Sequence, residues 1–151
     1  MQYILVGETH GTIECPKAFL KIVEKHKIKA VALELPKSKQ SEIQEYQDNK
    51  KRLDELTIFK NKNSDGRFSE AIKQLISKLQ EKKIKIYFID EEPSNLLKRD
   101  YFLAKNLKKI DQKIAFLCGD IHASKIKIKL PRIFLIINGL FLLFNKGLKV
   151  P

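Results

Sequence analysis

Four short apolar runs, each separated from the next by a helically periodic segment, constrain the fold of this chain more than any other feature. The runs are Tyr3 to Val6, Ala30 to Leu33, Ile84 to Ile89 and Lys113 to Cys118. The first, second and fourth are nearly continuous in apolar character, as strands covered on both faces must be. Between them, Pro16 to Lys25 carries Ala18, Phe19, Ile22 and Val23 on one side, with Pro16 suited to a first helical turn. Ser69 to Lys83 repeats Ala71, Ile72, Leu75, Ile76 and Leu79 at helical spacing. Ser94 to Ile110 does the same with Leu97, Tyr101, Ala104, Leu107 and Ile110, and Ser94 is placed as an N-cap. Strands alternating with helices imply right-handed crossovers, hence an α/β fold with a mostly parallel sheet flanked by helices. A length of 151 residues suits a single domain, 1–151.

Two segments depart from this alternation. Residues 37–65 are polar and thinly apolar, with Ile43, Tyr46, Leu53, Leu56 and Phe59 at helical spacing. They are expected to form a helical excursion, an exposed helix in preference to a lid over a site. Within residues 130–146, two five-residue apolar runs flank Asn138-Gly139, a strong signal for a C-terminal β-hairpin. The stretch is shorter than the roughly 20 apolar residues of a membrane span, so a buried hairpin is favoured over an anchor. Its apolar character on both faces calls for a cover, which leaves a homodimer or membrane contact through 133–144 open.

The composition, 43% hydrophobic and 32% charged, is that of a globular chain rather than a disordered or fibrous one. The net charge of +12 suggests anionic partners, but the basic residues are mostly lysines spread over every segment. Arginine, the side chain best suited to bidentate base and phosphate reading, is scarce, which disfavours a dedicated nucleic-acid binder. Cys15 and Cys118 lie about a hundred residues apart with no CxxC pairing, which argues against a disulfide scaffold or a cysteine zinc site and fits a reducing compartment. The strand pattern begins at Tyr3 with no signal-peptide pattern before it, so a cytoplasmic location is expected.

The chemistry gathers at the strand ends. Glu8 and His10 follow the first run, Glu34 ends the second, Asp90, Glu91 and Glu92 follow the third, and Asp120 and His122 follow the fourth. In a parallel sheet these ends share one edge, where sites form. Two of the three histidines therefore fall on that edge, each in the pattern glycine, carboxylate, one residue, histidine. Gly7 and Gly119 are expected to let the backbone turn sharply off the strand. An imidazole beside a carboxylate serves either as a general base or as a metal ligand. His10, His122 and Glu34 would make a two-histidine, one-carboxylate set for a divalent metal. His26, in Glu24-Lys25-His26-Lys27, reads as a surface residue. Asp90-Glu91-Glu92, ahead of Pro93 and Ser94, also suits a helix N-terminus.

These motifs resemble those of the superfamily uniting erythromycin-esterase-like, ChaN-like, TraB/PrgY and Tiki proteins. The resemblance rests on Gly7-Glu8-Thr9-His10, on Glu34 within Ala32-Leu33-Glu34-Leu35-Pro36, on Arg99-Asp100 within Lys98 to Ala104, and on Gly119-Asp120-Ile121-His122. The match runs in order through about residues 2–125. It implies a metal-assisted esterase- or peptidase-like hydrolase acting on a small-molecule or peptide substrate, or alternatively a non-catalytic haem- or metal-binding protein. It also implies catalytic roles for Glu8, His10, Glu34 and His122, metal ligation by His10, Glu34 and His122, and orienting roles for Arg99 and Asp100; Asp120 and Glu91, on the same strand-end edge, are expected to assist in orienting. The chain is shorter than common members. It also has Asp120 where a neutral polar residue is usual, a charge that would alter metal preference or the titration of His122.

Overall fold

The structure, a computed structural model, describes residues 3–60, 66–92, 96–126, 133–137 and 140–144. β1 (Tyr3–Glu8), β2 (Ala30–Pro36), β3 (Lys85–Asp90), β4 (Ile114–Gly119), β5 (Ile133–Ile137) and β6 (Leu140–Phe144) form one sheet, in the order β3-β2-β4-β1-β5-β6. All neighbouring pairs are parallel except β5 and β6, which run antiparallel with Ile133 opposite Phe144 and Ile137 opposite Leu140. The expected α/β architecture and C-terminal hairpin are both present. The hairpin turn at Asn138-Gly139 and the cap at Ser94 lie outside the described residues.

Side chains alternate between two helical layers, as the period of two requires. Ile4, Val6, Val31, Leu33, Ile86, Phe88 and Leu117 face α1 (Glu14–Lys25) and α3 (Glu70–Glu81), meeting Phe19, Val23, Ile72, Leu75, Ile76 and Leu79. Tyr3, Leu5, Ala30, Ala32, Phe116 and Cys118 face the other way. There they pack on Leu103, Ala104 and Leu107 of α4 (Leu96–Lys108) and on Ala123 and Ile126 of α5 (Asp120–Ile126). Ser69 caps α3 by accepting a hydrogen bond from the Ile72 amide at 3.4 Å.

The expected single excursion over 37–65 is broken instead. A 3₁₀ turn at Lys37–Lys39 leads into a short helix, α2 (Gln40–Gln47), and two more 3₁₀ turns follow at Leu53–Glu55 and Thr57–Phe59. α2 does not cover the strand ends. It lies along the outer edge of β3, where Gln47 donates to the Ile84 carbonyl at 2.8 Å and accepts from the Ile86 amide at 3.0 Å. Gln40 repeats the pattern with the Ile86 carbonyl at 3.3 Å and the Phe88 amide at 2.6 Å. Two amide side chains seven residues apart thus stand in for a missing neighbour strand and satisfy the edge.

Candidate active site

β2, β4 and β1 are adjacent, so their carboxyl ends meet at one place. β4 pairs with β1 as far as Glu8 opposite Gly119, but with β2 only as far as Leu33 opposite Leu117. Glu34 therefore stands one residue beyond its last paired position. Its Oε2 accepts the Gly119 amide at 2.8 Å.

Each histidine is held at one nitrogen. His10 Nδ1 lies 2.9 Å from Glu8 Oε1, and His122 Nδ1 lies 2.5 Å from Asp100 Oδ1. Glu8 and Asp100 are both only 6% exposed. A carboxylate oxygen accepts, so each Nδ1 donates and the basic lone pair falls on Nε2. The two rings converge on Gly119. A Cβ there would stand 3.2 Å from His10 Nε2 and 3.7 Å from His122 Cδ2. At Gly7 a Cβ would fall 2.2 Å from Asp120 Oδ1. Positive φ values occur elsewhere, at Gly11 and Gly66. Gly7 and Gly119 accordingly serve close approach between strand ends, not the sharp turn that the sequence suggested.

Two guanidiniums offset part of the carboxylate charge. Arg99 Nε donates to Asp90 Oδ1 at 3.2 Å, its Nη2 also meets Asp90 Oδ2, and the same Nη2 lies 2.9 Å from Glu34 Oε1. That last contact is an ion pair off hydrogen-bond geometry, since Glu34 Oε1 is a buried oxygen with no hydrogen-bond partner. Arg67 Nη1 donates to Asp90 Oδ2 at 3.0 Å. Arg67 was not foreseen as a site residue. It arrives because Gly66, at φ +91°, packs on the His10–Gly11 turn, where a Cβ would meet the Gly11 nitrogen at 2.6 Å.

Asp90, not Glu91, is the acid of β3 that joins the cluster. Glu91 accepts from Asn106 at 2.9 Å and Lys37 at 3.0 Å, and these donors, Asn106 foremost, hold its carboxyl below its ordinary value and bind the β3 end to α4. Asp120 begins α5 with a buried Oδ1 that has no hydrogen-bond partner, pressed toward Gly7. Burial, followed by the charges of Glu34, Glu8, Asp120 and Asp100, pushes the Cys118 thiol well above its ordinary value. Beside Glu8, Glu34 and Arg67 lies a hollow of about 10 Å³, room for roughly one water. The roomier groove between α1 and α3, about 390 Å³ and lined by Ile13, Leu20 and Leu75, is not lined by any of these site residues.

As placed, the donors do not assemble a three-ligand metal set among the described residues. Two of the three expected ligands do face each other, with His122 Nε2 3.6 Å from Glu34 Oε1. That oxygen already has the Arg99 guanidinium beside it, and His10 turns its Nδ1 to Glu8 instead.

No family model matches the chain, and no curated protein sequence matches it. Solved structures do. One is the C-terminal region of Pasteurella multocida toxin, described as holding a thiol-protease-like catalytic triad. It is 14% identical, with a TM-score of 0.56 over 95% of this chain and 24% of that one. Two others, described as bacterial protein toxins, are 14% and 16% identical, each with a TM-score of 0.59 over 95% of this chain and 35% of theirs. The chain thus spans about a quarter to a third of the structures it matches. At such identities the likeness is one of fold, and it supports the same α/β architecture.

Proposed function

We propose that the chain is a hydrolase of esters or peptides, related to the erythromycin-esterase-like, ChaN-like, TraB/PrgY and Tiki superfamily. One observation carries the reading. Two imidazoles, each with Nδ1 held by a nearly buried carboxylate, converge on Gly119 at the carboxyl ends of β1 and β4. In this reading His10 Nε2 removes a proton from a water, and the water oxygen attacks the substrate carbonyl. Glu8 stabilises the imidazolium that forms. Arg99 faces the developing oxyanion, the His10 imidazolium gives that proton to the leaving oxygen or nitrogen, and His122, held by Asp100, orients the water by accepting its other O–H at Nε2. Water is the nucleophile in preference to Cys118, whose thiol is buried and held neutral.

A second reading, a divalent metal or haem bound without catalysis, draws on the buried Glu34 Oε1 facing His122 Nε2. Hydrolysis of p-nitrophenyl esters and of a peptide mixture, with chelator or added divalent metal, separates the two. Activity in chelator that is lost in both His10→Ala and His122→Ala, with circular dichroism unchanged, supports the water mechanism. Activity undiminished in both variants would sink it. Stoichiometric metal, or a shifted Soret band on haem titration, without turnover would favour the second reading.

A further inference from the structure

The edge of the sheet opposite the candidate site is basic. The connections that enter β2, β3 and β4 carry Lys25, Lys27 and Lys29; Lys82, Lys83 and Lys85; and Lys108, Lys109 and Lys113, all of them exposed. Those three strands are neighbours, so the nine lysines share a strip two strand spacings wide, roughly 10 Å. Glu24, Glu81 and Asp111 oppose them, with Glu24 2.7 Å from Lys82 and Glu81 2.9 Å from Lys78. Lys113 donates to the His26 carbonyl at 3.1 Å, tying two of the connections together.

Helix dipoles explain lysines at a helix C-terminus: Lys25, Lys82, Lys108 and Lys109. They do not explain the other five. Lys27 and Lys83, one residue past the caps of α1 and α3, adopt φ of +51° and +55°, the left-handed conformation in which glycine is usual. Lys29, Lys85 and Lys113 sit at strand starts, where no dipole favours them. At two corresponding corners, then, the chain keeps a positive charge where an uncharged glycine would relieve the backbone. The field registers locally too: burial, then Lys113 and Lys25, depress the His26 imidazole below its ordinary value.

We infer that this edge is a docking surface for an anionic lipid membrane. The three connections contain no arginine and no Phe, Tyr or Trp, the side chains that read bases bidentately or stack on them. Point charges on flexible stems suffice for a smeared headgroup layer. Docked in this way, the molecule would hold its candidate site about one strand length, roughly 20 Å, from the headgroups and open to the aqueous side.

The test is co-sedimentation of the full chain with phosphatidylcholine vesicles, with and without 30–40% phosphatidylserine (about the anionic content at which surface potential becomes sizeable). The variants are Lys27→Gly with Lys83→Gly, and Lys17→Gln with Lys21→Gln as a matched charge loss on exposed positions of α1. The expected result is binding to the serine-lipid vesicles alone, weakened by salt. The glycine pair should weaken it by roughly fivefold per lysine while raising Tm, and the α1 pair should leave it nearly unchanged. A stability loss therefore cannot mimic the expected outcome. No binding to anionic vesicles, equal weakening by both pairs, or tighter binding to a duplex or single-stranded oligonucleotide at matched salt would overturn the assignment.

Discussion

Asp100 and Glu8 each fix one imidazole by a single hydrogen bond, so replacing either by its amide keeps the shape while removing the charge. Asp100→Asn and Glu8→Gln are expected to lower hydrolysis by about 10²- to 10⁴-fold with little change in KM. Single-turnover and steady-state assays on the best ester substrate would check this. Gly119→Ala places a methyl 3.2 Å from His10 Nε2 and should impair the rate more than the stability. The buried thiol gives a separate readout. Iodoacetamide at pH 8 should label Cys15 in the native chain, and Cys118 only after denaturation. Much of this site is legible in the sequence because Glu8 and His10, or Asp120 and His122, are near neighbours on a strand end. Arg67 is not. It follows a polar stretch without periodicity, and only the Gly66–Gly11 packing brings it in. Asp90 was hidden among three consecutive acids, and what selects it is strand alternation, because it lies two residues after buried Phe88.

At the scale of elements, α2 shows how a weakly amphipathic helix earns its place. Two of its three glutamines, Gln40 and Gln47, satisfy backbone groups along β3, so Gln40→Ala and Gln47→Ala should each destabilise the fold by about 1–2 kcal/mol. The double variant should also aggregate, since it reopens an edge. Chemical denaturation and light scattering would show both effects. The spacing of Ile43 and Tyr46 reveals that a helix exists here. Its seating on a strand edge depends instead on the pair Gln40 and Gln47, whose polarity reads as solvent exposure. Glu42 anchors the following turn by accepting the Thr57 amide at 2.7 Å and hydroxyl at 2.6 Å and the Lys39 ammonium at 2.9 Å. Burial opposes its ionisation, but these donors outweigh it and hold its carboxyl at about 2. A carboxyl depressed on folding stabilises above its unfolded value, near 4.5, and that contribution fades as pH falls toward 2. Wild type should therefore lose on the order of 2–3 kcal/mol across that window relative to Glu42→Gln, as urea titrations at several pH values would show.

For the molecule as a whole, element order was legible and strand order was not. Periodicity reports which face of a segment is apolar, whereas pairing depends on long-range register that no local pattern encodes. That missing information matters because β4 lies between β2 and β1, and the site exists only where those three ends meet. The six-strand sheet also places carboxylates at one edge and lysines at the other. No helix among the described residues is long and apolar enough to cross a membrane.

The central position of β4 has a kinetic consequence. Tyr3 pairs with Ile114, so the strand that joins β1 to β2 is made more than a hundred residues after the first one. Until it docks, β1 and β2 face each other across an open slot, each with an unsatisfied row of amides and carbonyls. Closure of so distant a contact is slow compared with helix formation. During synthesis the nascent chain should therefore stay protease-sensitive until about residue 119 has emerged, then become resistant in one step. A chain cut at Gln112 should behave as an aggregation-prone remnant, and supplying residues 113–126 as a separate peptide should restore protection in proportion to its concentration.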